Sequence, residues 1–508
     1  MTNAHAFEGW KRFRLLPLIM ALTCVFLWGA MFARIADRTI GIDKDWLFLY
    51  LCGIETVHPG LHEQQIDLVK KIVAASGDDQ AVYRATMRAN YCNNYPFTSL
   101  SMYLAGQWET HFGISPAEDF PRFLTRTLWN GILDSGELLG IFCLLGLFAL
   151  TTGPLRTTIF IAIGLAALCY LTIPPPKTTW FLVQSTPAPP APIVDWPSVV
   201  WLGLHSWFNP NAPYSPLSIF PRCLCALLSF AAFTIRWSGR PGSAYWVPLL
   251  VGGIHQSAAP ILLLALVCCD IVIRPRELTR LGILLPIGVN LLVIFLRERM
   301  FAILGFSSSE VVIAVAILVC LVVVPAMLRP VRMAFQAGWS FIAAWRGRTI
   351  GAVPLPFADA LVLFAAWLGL ILISYLASRD DAWYRVVYFW SELSPRYIGM
   401  FQLSLFAGIL YPLIVWMESA RPVAGNVVTA AVAVVMLAMA ISQILPERTG
   451  FAAQMRGGAA FEKVTSQRRD VYAGTTRPTM TDETSWYYLL VRNAILGDRS
   501  LSAFFGKT

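Results

Sequence analysis

The chain has 508 residues, of which 56% are hydrophobic and only 14% are charged. A soluble protein of this length usually carries close to a quarter charged residues, so the composition argues against a soluble globular protein. The formal net charge of +9 fits Arg and Lys held in the cytoplasmic connections of a membrane protein, not nucleic-acid binding.

Long apolar runs predict an all-α polytopic membrane protein with about eleven transmembrane helices. Lys11, Arg12 and Arg14 precede the first run, which places the N-terminus in the cytoplasm and the C-terminus outside the inner (cytoplasmic) membrane. The predicted spans are 15–33, 133–150, 157–173, 217–235, two short helices within 246–273, 281–296, 311–328, 360–376, 397–417 and 427–444.

Two long connections and a tail lie outside the membrane in this topology. Residues 1–444 form the transmembrane module, with a first outer loop over 35–131 and a Pro- and Trp-rich second outer loop over 174–215. Residues 445–508 form a small outer, periplasmic tail, which is too short to promise an independent domain. Its Trp486–Leu490 stretch has helical spacing and is expected to dock on the first outer loop.

Apolar spacing predicts two amphipathic helices within the first outer loop. One covers 61–75 and could lie along the membrane surface, and the other covers 100–112 and is rich in aromatic residues. Cys52 and Cys92 share this loop and could form a disulfide if the loop faces an oxidising compartment.

Asp43 and Asp45 lie just past the outer end of the first helix. On an extended strand, residues two apart point the same way. Such carboxylates can act as a general base on a hydroxyl, or can bind Mg²⁺ or Mn²⁺. An Asp-Lys-Asp triplet can also be a solvated turn. The apolar, aromatic stretch 46–51 that follows favours a functional position at the membrane border.

This arrangement resembles the GT-C superfamily of integral-membrane glycosyltransferases. The shared features are a first helix, a long outer loop with an early acid, interfacial helices, many further spans and an outer tail. Tyr95-Pro96-Phe97-Thr98 looks like the aromatic-proline step that often precedes a helix in that loop. The Asp-Glu pair of many members is replaced here by Asp-Lys-Asp.

The resemblance implies transfer of a sugar from a polyprenyl-phosphate donor to a glycan, lipid or protein acceptor on the outer face of the membrane. Asp43 or Asp45 would be the catalytic acid, with Asp37 a third possibility. Mg²⁺ or Mn²⁺ would bind at the same aspartates if a metal is used. The partners are then the donor, the acceptor and membrane lipids, with no nucleic acid, and the process is cell-envelope polysaccharide biosynthesis.

Several residues are candidates for supporting roles. Asp134 and Glu137 lie three apart at the outer start of the second span, so they share one helix face. They could supply a second carboxylate, or simply favour a helix N-terminus. Arg396, Lys177 and Arg379 are candidates for binding the donor phosphate, although such side chains also anchor helices at the interface.

Further candidates carry rings. His205 lies among tryptophans and could belong to an acceptor platform, and Tyr95 belongs to the aromatic-proline step. His255 follows Gly252 and Gly253 inside a stretch that predicts two short helices with a break near the histidine.

Two other function classes remain open. The Gly-Gly-Ile-His-Gln-Ser segment resembles the His-Ser step of O-antigen and exopolysaccharide polymerases or ligases, in which His255 and the arginines would be central. A lipid or solute transporter or flippase would instead depend on groups within the spans. No P-loop, Gly-x-Ser-x-Gly or His-Glu-x-x-His motif occurs, which argues against a nucleotide-driven pump or a lipase-type hydrolase.

Overall fold

A computed structural model describes eleven stretches of the chain. They are residues 17–30, 44–57, 96–128, 130–131, 135–172, 220–256, 258–303, 353–377, 399–420, 422–447 and 483–497. Across these stretches the secondary structure is helical, with turns and no strand. The all-α fold class is therefore confirmed for the part of the chain that is described. The helices predicted over 61–75 and 311–328 fall outside it.

Fifteen α-helices are present in the described ranges. They are α1 (Pro17–Ala30), α2 (Lys44–Val57), α3 (Pro96–Phe112), α4 (Phe120–Leu128), α5 (Ser135–Leu150), α6 (Gly153–Thr172), α7 (Phe220–Trp237), α8 (Pro241–Ala244), α9 (Val247–Ile254), α10 (Ala258–Ile273), α11 (Leu281–Ile303), α12 (Leu355–Ala377), α13 (Gln402–Ala420), α14 (Pro422–Glu447) and α15 (Glu483–Leu496).

Every predicted span that falls within the described residues coincides with one of these helices or, over 246–273, with two. By length and apolarity one of them, covering Gly399–Ser419 with its leading 3-10 turn, passes as a membrane-crossing helix on its own. Other helices contain shorter apolar stretches of 10–17 residues. The positions of the helices thus follow the apolar runs of the sequence.

Several helix pairs pack closely at glycines. A methyl group at Gly408 of α13 would lie 2.4 Å from the Pro356 carbonyl oxygen of α12. A methyl group at Gly140 of α5 would lie 2.0 Å from Trp28 Nε1 of α1. Small residues at such crossings let helix backbones approach closely, which is common between membrane helices.

A buried charge cluster joins the ends of three helices. Arg236 in the last turn of α7 is fully buried, and so are Asp270 near the end of α10 and Asp359 near the start of α12. The guanidinium binds Asp359 through two nitrogens, with Nε 2.9 Å from Oδ2 and Nη2 3.1 Å from Oδ1. Its Nη1 donates to Asp270 Oδ1.

Neighbouring side chains complete the hydrogen bonding of both carboxylates. Trp237 Nε1 donates to Asp359 Oδ2 at 2.8 Å, and the Tyr245 hydroxyl donates to Asp270 Oδ2 at 2.6 Å. Asn290 of α11 donates to the Tyr245 carbonyl oxygen at 2.9 Å. Each carboxylate oxygen therefore accepts at least one bond, which offsets the large cost of burying these charges.

Arg236 directly follows the predicted span 217–235, a position typical of a basic residue that flanks a membrane helix. In the structure its side chain instead turns into the bundle and meets two acids that are not among the predicted site residues. Asp270 and Asp359 both stand within otherwise apolar runs. An acid in such a run needs a partner, and that is the signal that could have revealed them.

Removing one member of this cluster is expected to be strongly destabilising. Arg236→Met leaves two buried carboxylates without their shared cation and should cost about 3–5 kcal/mol. Adding Asp270→Asn and Asp359→Asn should restore part of that loss, because the amides keep the shape without the charge. Thermal unfolding of the purified protein in detergent measures both effects.

Arg280→Met is the matched control for this prediction. Arg280 is mostly exposed and pairs with Glu277 one turn away, and exposed pairs of this kind contribute at most about 1 kcal/mol. Equal effects of Arg236→Met and Arg280→Met would contradict the structural role of the cluster.

Candidate functional site

Three helices of the predicted first outer loop and the tail helix pack into one unit, called here the first-loop unit and made of α2, α3, α4 and α15. Helix α2 contacts both α3 and α15, and α3 contacts α4. Gly53 of α2 lies against Ser99 and Tyr103 of α3, whereas Gly106 of α3 lies against Tyr50. Rising numbers on α3 thus meet falling numbers on α2, so the two helices run antiparallel.

The tail helix is an integral part of this unit. Tyr488, Leu490 and Val491 of α15 are buried, and the Tyr488 ring packs edge-on against Phe120 of α4 with centroids 5.4 Å apart. The prediction that the Trp486–Leu490 stretch docks on the first outer loop is confirmed. Two distant parts of the chain therefore build one small core.

The interior of the first-loop unit contains a buried carboxylate. Glu109 of α3 is only 1% exposed, and its Oε2 lies 2.9 Å from Nε of Arg126 in α4. Its Oε1 accepts a bond from Asn130 Nδ2 at 2.7 Å. Glu109 and Arg126 are not among the residues predicted from the sequence, because nothing in the local pattern of α3 or α4 shows which charges meet.

Tyr50 of α2 is buried in the same interior. Burial raises the pKa of the Tyr50 hydroxyl above its usual value, and nearby Tyr103 adds to the rise while the neighbouring Thr127 side chain opposes it. The hydroxyl therefore stays protonated at neutral pH and acts as a neutral polar group where α2 meets α3.

Asp45 lies in the first turn of α2, which begins at Lys44. The expectation that Asp45 stands on an extended strand beside Asp43 is wrong, because the apolar run after Asp45 continues as a helix. A negative charge in the first turn of a helix is favourable. Only the backbone of Asp45 is described, and Asp43 lies outside the described residues.

Cys52, seven residues further along α2, is disulfide-bonded. Cys92, the partner that the sequence offers, lies outside the described residues. Among the residues that the structure describes, six other cysteines are free, namely Cys24, Cys143, Cys223, Cys225, Cys268 and Cys269.

The predicted break at His255 is confirmed. Helix α9 ends at Ile254 and α10 begins at Ala258, and His255 between them has extended backbone with φ −143° and ψ 108°. Its side chain is buried at 5% exposure. The chain here turns from one short helix into the next, which contacts it.

The first-loop unit contacts α9 just before this break. Helix α3 begins at Pro96, four residues before the expected start, because proline is well tolerated in the first turn of a helix. The next residue, Phe97, packs on Gly253, where a methyl group would lie 2.0 Å from a ring carbon. Phe97 of the aromatic-proline step thus contacts the residue that precedes His255 by two positions.

Glu137 lies in the first turn of α5. Its Oε1 is 3.1 Å from the position that a methyl group would take on Gly29, near the end of α1. The structure therefore places this supporting candidate beside the helix that leads into the first outer loop.

The remaining candidates fall outside the described residues. They are Asp37, Asp43, Asp134, Tyr95, Lys177, His205, Arg379 and Arg396. Within the described ranges no group of three or more His, Cys, Asp or Glu side chains is placed to hold a metal ion. The expectation of Mg²⁺ or Mn²⁺ at Asp43 and Asp45 thus stays a prediction.

Comparison with models of known protein families, with characterised proteins and with solved structures finds no match to this chain.

A charge placed under the tail helix should disrupt the first-loop unit. Val491 is fully buried, so Val491→Asp buries a carboxylate in the core of the first-loop unit and is expected to lower stability by about 3 kcal/mol. The readouts are the unfolding temperature in detergent and the rate of tryptic cleavage within the first outer loop. Asn493→Asp, on a half-buried position of the same helix, should change both far less; equal effects would show that α15 does not pack as described.

The contact between Phe97 and Gly253 predicts a coupled pair of substitutions. Gly253→Val should cost roughly 1–3 kcal/mol, because the new side chain meets the Phe97 ring. Adding Phe97→Ala should recover about 1 kcal/mol or more of that cost beyond additivity. Gly288→Val, at a glycine with open space around it, should show no such coupling. Additive effects at Gly253 would contradict the contact.

Proposed function

We propose that this protein is a membrane glycosyltransferase that moves a sugar from a polyprenyl-phosphate donor to an acceptor on the outer face of the membrane. The observation that carries the proposal is the contact of α3 with the last turn of α9, just before the α9–α10 break. This contact joins the α2–α3 pair, whose first helix contains Asp45, to the irregular backbone at His255 within the bundle. Irregular backbone at membrane depth is tolerated where it is buried or lines a cavity.

The reaction needs a base on the acceptor and a cation on the departing phosphate. In the proposal, the hydroxyl oxygen of the acceptor attacks the anomeric carbon of the sugar. Asp43 or Asp45 accepts the proton that this hydroxyl loses. The bond between that carbon and the phosphate oxygen breaks, and polyprenyl phosphate leaves as an anion. Arg396, Lys177 or Arg379 is proposed to stabilise the phosphate charge.

The proposed setting is an eleven-span protein of the inner membrane with the first-loop unit outside. Two observations support this orientation. Cys52 is disulfide-bonded, and disulfides persist in oxidising compartments such as the periplasm. The tail helix packs on the first outer loop, so both must lie on the same side of the membrane. An odd number of spans, with the N-terminus in the cytoplasm, places both outside.

Removing the loop carboxylates should abolish transfer. Asp43→Asn and Asp45→Asn, singly and together, are expected to reduce turnover by about a hundredfold or more in at least one variant, because a general base contributes that much. The measurement is transfer of labelled sugar from polyprenyl-phosphate-linked donors in membranes containing equal amounts of each protein. Glu118→Gln, an exposed carboxylate of the same loop, should keep full activity. Full activity in the double aspartate variant would reject the catalytic role of Asp43 and Asp45, and no transfer by the wild-type protein from any polyprenyl-phosphate-linked donor would reject the transferase.

A polysaccharide polymerase or ligase is the second candidate, and the burial of His255 at the helix break favours it. In that case His255→Ala, not the aspartate variants, should abolish formation of polymer from lipid-linked repeat units. Loss of activity in the aspartate variants with activity retained in His255→Ala would favour the transferase.

A further inference from the structure

Helix α4 presents two arginines on its exposed side. Its other side is buried in the first-loop unit through Phe120, Phe123, Leu124, Thr125, Thr127 and Leu128. Arg122 is exposed, and Arg126 is 35% exposed. Because they are four residues apart, the two guanidinium groups share one face of the helix.

Arg126 is held in place by the buried carboxylate of Glu109. The pairing uses Nε of the guanidinium, 2.9 Å from Glu109 Oε2. Among the described residues no group bonds to the two terminal nitrogens of Arg126. An arginine fixed in this way presents a planar pair of N–H donors at little further entropic cost, which suits a phosphate oxygen pair. Arg122 adds a second positive charge on the same face of α4, with the exposed Asp119 carboxylate accepting a bond from its backbone N–H.

The register of α2 and α3 places Arg126 and the turn that contains Asp45 at the same height along the α2–α3 helix pair. Gly53 meets Ser99 and Tyr103, and Tyr50 meets Gly106. Continuing the antiparallel pairing by one to two turns brings the first turn of α2 beside the turn of α3 that contains Glu109. The fixed guanidinium and Asp45 therefore belong to the same end of the first-loop unit.

The same turn of α3 also exposes a pair of aromatic rings. Trp108 is 62% exposed and Phe112 is 74% exposed, and their ring centroids are 4.7 Å apart. An exposed apolar pair on the same turn of α3 as the carboxylate that holds the guanidinium fits a ligand that has both a charged head and an apolar part.

We propose that Arg126, held by Glu109 and assisted by Arg122, binds the phosphate ester of a polyprenyl lipid. The inference rests on the proposed function and names a phosphate-binding residue of the same site. The chemistry is that of a phosphate ester anion, and the exposed rings on the Glu109 turn of α3 favour the lipid-linked form over a soluble phosphate.

Direct binding to the full-length protein in nanodiscs tests this assignment. The probes are polyprenyl phosphate, uncharged polyprenol and inorganic pyrophosphate. Polyprenyl phosphate should bind more tightly than the other two, and Arg126→Gln should weaken it by about tenfold to a hundredfold. Arg126→Lys should recover only part of the affinity, because an ammonium lacks the two-pronged donor edge. Arg280→Gln, an exposed arginine paired with Glu277, should bind like the wild type.

Each remaining outcome has a defined meaning. The assignment would be overturned if Arg126→Gln kept wild-type affinity, or if polyprenol bound as tightly as polyprenyl phosphate. The two arginines would then be only the solvated side of an amphipathic helix. Competition by pyrophosphate as strong as by the lipid would overturn the lipid as ligand. If Arg126→Gln fails to fold, Arg122→Gln decides, with a severalfold loss expected and no loss overturning the proposal.

The binding assay needs no turnover, so the two proposals can fail separately. Loss of phosphate-lipid binding in Arg126→Gln together with full transfer in the Asp43 and Asp45 variants would reject the catalytic role of the aspartates alone. Wild-type binding in Arg126→Gln with no transfer in the aspartate variants would reject only the phosphate assignment.

Discussion

Arg236 divides its guanidinium between two carboxylates from two other helices, and this buried cluster fixes how the helix bundle is assembled. Helix α10 is bound through Asp270 near its end, while His255 precedes its start. The same cluster binds α12 through Asp359. Because each charge is costly to bury without its partner, the three helix ends have little freedom to separate. The position of the helix break therefore depends on an ion cluster at the far end of α10.

The first-loop unit depends on that placement. Phe97 meets Gly253 at the break, so the start of α3 is held against the bundle. Helices α2 and α4 pack on α3, and α15 packs on α2. A chain of contacts thus runs from the ion cluster through α10 and the break to the turn of α2 that contains Asp45. Each link joins residues that are far apart in the sequence.

Helix α3 reverses the usual arrangement of a surface helix. It buries Thr98, Ser99 and Glu109 and exposes Leu104, Trp108 and Phe112. Buried polar groups need partners, and Glu109 obtains them from Arg126 and Asn130. The exposed rings suit contact with hydrocarbon. Both features fit a loop that packs its polar side inward and meets lipid, which is the setting that the proposed transferase requires.

The sequence by itself determined the helices, because an apolar run of sufficient length fixes a helix through local hydrogen bonds and hydrophobicity. It also located the break at His255, which follows Gly252 and Gly253 in a stretch that predicts two short helices. It did not determine that Asp45 begins a helix, nor which charges pair. Arg236 with Asp359, and Glu109 with Arg126, are 123 and 17 residues apart. Only the tertiary structure decides such pairs, because burial and distance between separate helices are set by packing, which local pattern does not encode.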